Sequence, residues 1–155
     1  MLPKIKKILY ATDLSKNSAY VFRYALTSAE VHDAQIDIIY VYNPIVFAGP
    51  DAEPIEISNE RPEIKAKLKE RVDYFLEQEL KTNPNKATRV SSIQVIDGNP
   101  VVEILRKVDD LKPDVLIMGN HSKGLIAHTF LGSVATSVLQ RIRIPVYIIP
   151  IPNDK

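Results

Sequence analysis

Five short apolar, β-branched runs recur along the chain, at residues 5–11, 35–42, 90–96, 114–118 and 145–151. Four are close to continuously apolar, the pattern of strands covered on both faces, not of strands with one wet face. Segments with helical spacing lie between them. Residues 15–31 place Ala19, Phe22, Ala25, Leu26 and Ala29 on one stripe, and residues 63–81 do the same with Ile64, Leu68, Val72, Phe75, Leu76 and Leu80. Residues 100–108 carry Val101, Ile104, Leu105 and Val108, with Asn99 suited to cap the helix and Pro100 to open it. Residues 133–141 form a fourth helical segment, with Val134, Ser137 and Val138 and with Ile142 just beyond.

This βαβαβαβαβ alternation predicts an α/β fold: an open, five-stranded, mostly parallel sheet with helices on both faces. Ligands of such sheets sit beyond the carboxyl ends of the strands, where the strand order reverses. The polar residues that follow strands are therefore the first candidates: Thr12-Asp13, Tyr42-Asn43, Asp97-Gly98 and Gly119-Asn120. Residues 43–62 break the alternation. They hold Pro44, Pro50, Pro54 and Pro62 with Gly49 and several acids, and predict a long connecting loop. Ile45, Val46 and Phe47 either cover a ligand or partner or pin that loop to the core.

A length of 155 residues predicts one domain over 1–155, and a 45% hydrophobic and 25% charged composition is ordinary for a soluble globular chain. A net charge of +1 carries no signature of nucleic acid or of an acidic membrane, and no basic run interleaves with aromatics. Lys4, Lys6 and Lys7 then serve as a solvated start to the first strand. The absence of cysteine removes disulfides, thiolate metal sites and a cysteine nucleophile, and fits a cytoplasmic setting. No run approaches the roughly 20 apolar residues of a membrane span, and no signal sequence is expected. Tyr24, Tyr40, Tyr42 and Tyr74 fall at packing positions. His32 and His128 lack ligand spacing, so no protein-made metal site is expected.

The stretch 118–135 holds the densest candidate chemistry. Gly119 follows an apolar strand, and Gly132-Ser133 stands where a helix begins. A glycine turn and the free N–H groups of a helix start together make a cradle for phosphates. Each feature alone also serves as an ordinary turn or helix start, and Asp13 alone also serves as a helix cap. His121 is either a loop residue or the base of a small transferase or hydrolase. Lys123 either neutralises phosphate or is solvated. The P-loop pattern is absent, and the first strand ends in Thr-Asp-Leu-Ser-Lys-Asn-Ser without glycine.

Three motifs in order carry a resemblance over the whole chain. They are Lys-Ile-Leu-Tyr-Ala-Thr-Asp-Leu-Ser at the first strand, Asp97-Gly98-Asn99-Pro100 leading through a helix to Pro-Asp-Val-Leu-Ile-Met-Gly, and Gly119-Asn120-His121-Ser122 followed nine residues later by Gly132-Ser133. In this the chain resembles the universal stress protein family, of nucleotide-binding type. The resemblance implies a Rossmann-like fold similar to that of the adenine nucleotide alpha hydrolases, holding ATP or AMP with Mg2+ brought by the phosphates. It makes Ala11 and Thr12 nucleotide-binding residues and places Asp13 at the base or sugar, the Val41 backbone at the adenine edge, and Met118 and Gly119 beside the sugar. Ser122, Gly132, Ser133 and Val134 would face the phosphates. The chain departs from the family signature at its middle glycine, which is Ser122 here. A side chain there either crowds a phosphate or donates a hydroxyl hydrogen bond, and Gly124 lies nearby. The implied function is a homodimeric ATP-binding stress-response or signalling module with at most slow hydrolysis and no catalytic residues. Its dimer would form through the apolar C-terminal edge strand. The alternative is a nucleotide-free dimeric module of the same fold that docks proteins through the 43–62 loop. The client protein is unknown to the sequence.

Overall fold

The computed structural model describes residues 1–15, 17–43, 45–47, 51, 54–56, 62–120 and 131–151, with backbone alone for 45–47 and 54–56. Strands β1 (Lys7–Thr12), β2 (Gln35–Tyr42), β5 (Val90–Asp97), β6 (Val115–Gly119) and β7 (Val146–Ile149) form one sheet in the order β5-β2-β1-β6-β7. Every pairing in it is parallel. The crossovers are helices α1 (Ser18–His32), α2 (Pro62–Lys81), α3 (Pro100–Leu111) and α4 (Ser133–Leu139), with a 3-10 turn at Pro84–Arg89. The strand order reverses at β1, which has β2 on one side and β6 on the other.

The continuous apolar runs are explained by two cores, one on each face. Ile8, Tyr10, Ile36, Ile38, Val115 and Ile117 point toward α1 and α2, where they meet Phe22, Ala25, Val72 and Leu76. The alternate residues Leu9, Ile39, Leu116 and Met118 point toward α3 and α4, against Ile104, Ala135 and Val138. Phe22 anchors the first core, its ring centroid 5.7 Å from Tyr10 and 5.7 Å from Phe75. Truncating such a buried aromatic to alanine typically costs about 3–5 kcal/mol.

Local chemistry sets the element ends. Asn99 caps α3, its side-chain oxygen accepting from the N–H groups of Val101 (3.0 Å) and Val102 (3.2 Å). α3 continues to Leu111, three residues past the predicted 108, and closes on Lys112 in a left-handed conformation. α1 starts at Ser18, not 15, because residues 12–15 are occupied by a tight turn. β7 is confined to four residues by Pro145 and Pro150, which bring no N–H to a ladder. Asp114 is not a strand residue. Its carboxylate accepts from the backbone N–H groups of Lys6 (2.8 Å) and Lys7 (2.9 Å), tying the start of β1 to that of β6. The 43–62 segment is more ordered than a plain loop. Within it β3 (Ile45–Phe47) pairs antiparallel with β4 (Pro54–Glu56).

Candidate functional site

A cavity of about 520 Å³ opens at the carboxyl ends of β1, β2 and β6, at the point where the strand order reverses. That volume lies within the ordinary range for small-molecule sites. β1 contributes Ala11 and Thr12, with Asp13 just beyond; β2 contributes Val41; β6 contributes Met118 and Gly119. Gly132 and Val134 enter from the start of α4. Eight of the ten predicted site residues therefore meet around one space. Ser133 is exposed and is not among the lining residues. Ser122 lies outside the described residues, as do His121, Lys123 and Gly124.

The β1 end is held by side chains bonding to backbone. The Leu14 N–H donates to Thr12 Oγ1 (3.2 Å), and the Ser15 N–H donates to Asp13 Oδ1 (2.9 Å). These two bonds brace Leu14 at φ 54, a conformation rare for a branched, bulky residue. Asp13 thus closes the turn ahead of α1 without capping it, since the residue preceding the helix is Asn17. At β6 close packing favours glycine: a Cβ on Gly119 would stand 3.1 Å from Ile151 Cδ1 and 3.4 Å from Val21 Cγ2. The Gly132 N–H is donated to the Asn120 carbonyl at 2.6 Å. Gly132 therefore meets the cavity as bare backbone surface, not through the free N–H that the sequence suggested.

Of the remaining wall, Tyr42 and Asn43 were expected from their place at the end of the second strand, and the rest was not. Tyr10, Tyr40 and Tyr42 line the cavity from the α1/α2 side, and Pro100 and Ile104 from the first turns of α3. Tyr40 and Tyr42 do pack against the core, as their spacing indicated, but they also face the cavity. Tyr24 and Tyr74 lie outside the core, at 46% and 63% exposure, Tyr24 with its ring edge-on to Tyr20. Tyr10 is fully enclosed and donates its hydroxyl to the Ser18 carbonyl (3.0 Å). Burial pushes its phenol well above the usual range, so it stays protonated as a donor. Burial also raises Tyr40, against an opposing pull from the Arg71 guanidinium. Asp97, the last residue of β5, and Gly98 and Asn120, just past strand ends, do not line the cavity. The Asn120 side-chain oxygen instead accepts from the Ile151 N–H (3.1 Å), joining the β6 end to the segment after β7.

Among the described lining residues Asp13 carries the single charge, and the rest of the wall is apolar or neutral. No cluster of three or more metal-ligating side chains occurs among the described residues. No helix of the described residues is long and apolar enough to cross a membrane.

An open parallel sheet with a cavity at its order reversal defines an α/β protein of the Rossmann-like kind. A model of the Universal stress protein family matches residues 4–150, and the chain belongs to that family. It is 29% identical over 151 residues to Universal stress protein MJ0531 of Methanocaldococcus jannaschii, covering 97% of this chain and 85% of the relative. It is 26% identical over 161 residues to Universal stress protein MJ0577 of the same organism, covering 96% and 97%. The solved structure of MJ0577 has the same fold, with a TM-score of 0.72 at 23% identity over 98% of this chain and 100% of that one. A universal stress protein solved in complex with cAMP is similar at a TM-score of 0.61 and 25% identity, over 96% and 98%.

Proposed function

We propose that the protein is a homodimeric adenine-nucleotide-binding module of its family, taking ATP with Mg2+ at the carboxyl ends of β1, β2 and β6. The observation that carries this reading is the convergence of Asp13, Val41, Met118, Gly119, Gly132 and Val134 on one cavity, from segments far apart in the chain. The cAMP complex of a similar protein supports the adenine nucleotide class. The chemistry of the wall fits a nucleoside. A planar apolar base suits Ile39, Val41, Ile104 and Met118, and the second oxygen of the Asp13 carboxylate suits a ribose hydroxyl or the adenine amine. Among the described lining residues no lysine or arginine meets a triphosphate, so Mg2+ carried with the nucleotide would neutralise it.

No nucleophile, base and orienting group assemble among the described lining residues, which favours binding and signalling over turnover. The dimer would form through β7, an edge strand of four residues paired to β6 alone among the described strands. Isothermal titration with MgATP, with sedimentation of the same sample, tests both parts. Saturable heat and a two-fold mass are expected. Absence of heat and of any thermal shift at millimolar nucleotide would overturn the nucleotide reading and favour the nucleotide-free interaction module.

A further inference from the structure

At the opposite, amino-terminal end of the sheet, a second cleft of about 520 Å³ runs between the last turns of α3 and the segment joining α4 to β7. We propose that this cleft docks an acidic amphipathic segment of a partner protein. Its floor is apolar, formed by the half-buried side chains of Leu105, Val108, Ile142 and Ile144. Three cations, Lys112, Arg141 and Arg143, border it against a single acid, Asp109.

None of the three forms an ion pair among the described residues, a property shared with other surface cations such as Lys65, Lys67 and Lys107, so the rim keeps its positive charge. Lys112 also occupies a left-handed backbone position, φ 49, where glycine is the least strained residue. The combination of apolar floor and basic rim complements a helix or strand with leucine-like anchors flanked by Glu or Asp. It does not suit a nucleic acid backbone, which would leave the floor uncovered.

Fluorescence anisotropy with a labelled peptide of Leu and Glu at helical spacing tests the proposal, with the same peptide carrying Lys for Glu as control. The Glu peptide is expected to bind, to weaken as salt rises, and to lose about tenfold or more in affinity on the Arg141→Glu/Arg143→Glu double variant. The Lys peptide is expected not to bind. The melting temperature checks that the variant is folded, and Arg141→Gln/Arg143→Gln replaces it otherwise, with a smaller loss in the same direction. Equal binding of both peptides, or undiminished binding by the folded variant, overturns the proposal. So does a change in the sedimentation of the variant alone, which would assign the cleft to a second copy, and so does preference for anionic lipid vesicles over the peptide. Nucleotide titration of the double variant is expected to match the parent, so this result stands apart from the reading of the main cavity.

Discussion

Gly98 and Lys112 show backbone conformation deciding what a position tolerates. Gly98 has φ 149, and a Cβ there would sit 2.8 Å from Cγ of Glu103, a buried residue that accepts from Arg106. Its N–H also bonds the Tyr42 carbonyl (2.9 Å), at the rim of the main cavity. Gly98→Ala is expected to cost about 1–3 kcal/mol, read as a lower urea midpoint with the slope unchanged. Lys112 is the reverse case. Its left-handed backbone costs a non-glycine residue about 1 kcal/mol or more, which exceeds most of the unfolded-state entropy that glycine adds. Lys112→Gly is therefore expected to stabilise the fold by about 0.5 kcal/mol, seen as a small rise in melting temperature. Neither effect was legible in the sequence, because the sign of φ leaves no trace in a pattern of apolar and polar positions. Asn99 was legible, since an N-cap residue followed by proline has one local meaning.

At the scale of elements, the two-sided apolar runs and the helical stripes predicted the strands and helices of the main sheet, with errors confined to their ends. The β3–β4 ribbon was not legible, because three-residue strands among prolines are too short to show a period. The tyrosines mark another limit. Position at the strand end marked Tyr42 as a site candidate, but the period gave no sign that Tyr40 borders the same opening as well as packing beneath it. The Asn99 cap gives α3 two of its N-terminal bonds, and Asn99→Ala is expected to cost about 1 kcal/mol in thermal or urea unfolding. The C-terminal end of α1 is held differently, by ion pairs. Asp33 contacts Arg89 (2.7 Å) and Lys6 (3.5 Å), and Glu30 contacts Lys86 (2.8 Å). The Arg89 hydrogen bond holds the Asp33 carboxyl below its ordinary 3.8, and the Lys86 bond holds Glu30 below its ordinary 4.5. A depressed carboxylate contributes in full above its unfolded value, and the contribution is lost as pH falls through the lower folded value. Asp33→Asn with Glu30→Gln should therefore lower stability slightly at neutral pH and flatten its loss below about pH 4.5. Melting curves across that range check this, and high salt should erase the difference because both carboxylates are exposed.

For the whole molecule, the decisive feature is that the cavity wall is drawn from β1, β2, β6 and the start of α4 and so exists only in the native fold. A ligand held there binds folded protein and not the open chain, so its affinity adds to the stability of the entire domain. At a nucleotide concentration of 100 Kd the gain is about 2.7 kcal/mol. For a chain of this length that corresponds to a rise in melting temperature of roughly 5–10 °C. Gly132 offers a way to separate the ligand from the fold. Its backbone, at φ −68 and ψ 164, lies in a region open to any residue, so valine brings no backbone strain. What valine adds is volume at a buried point of the cavity wall. Gly132→Val is expected to melt somewhat below the parent without nucleotide, from the added volume and the poorer helix start, and to lose the rise with MgATP. A variant that kept the full rise would place the nucleotide away from the start of α4, and with it the phosphate end of the proposed site.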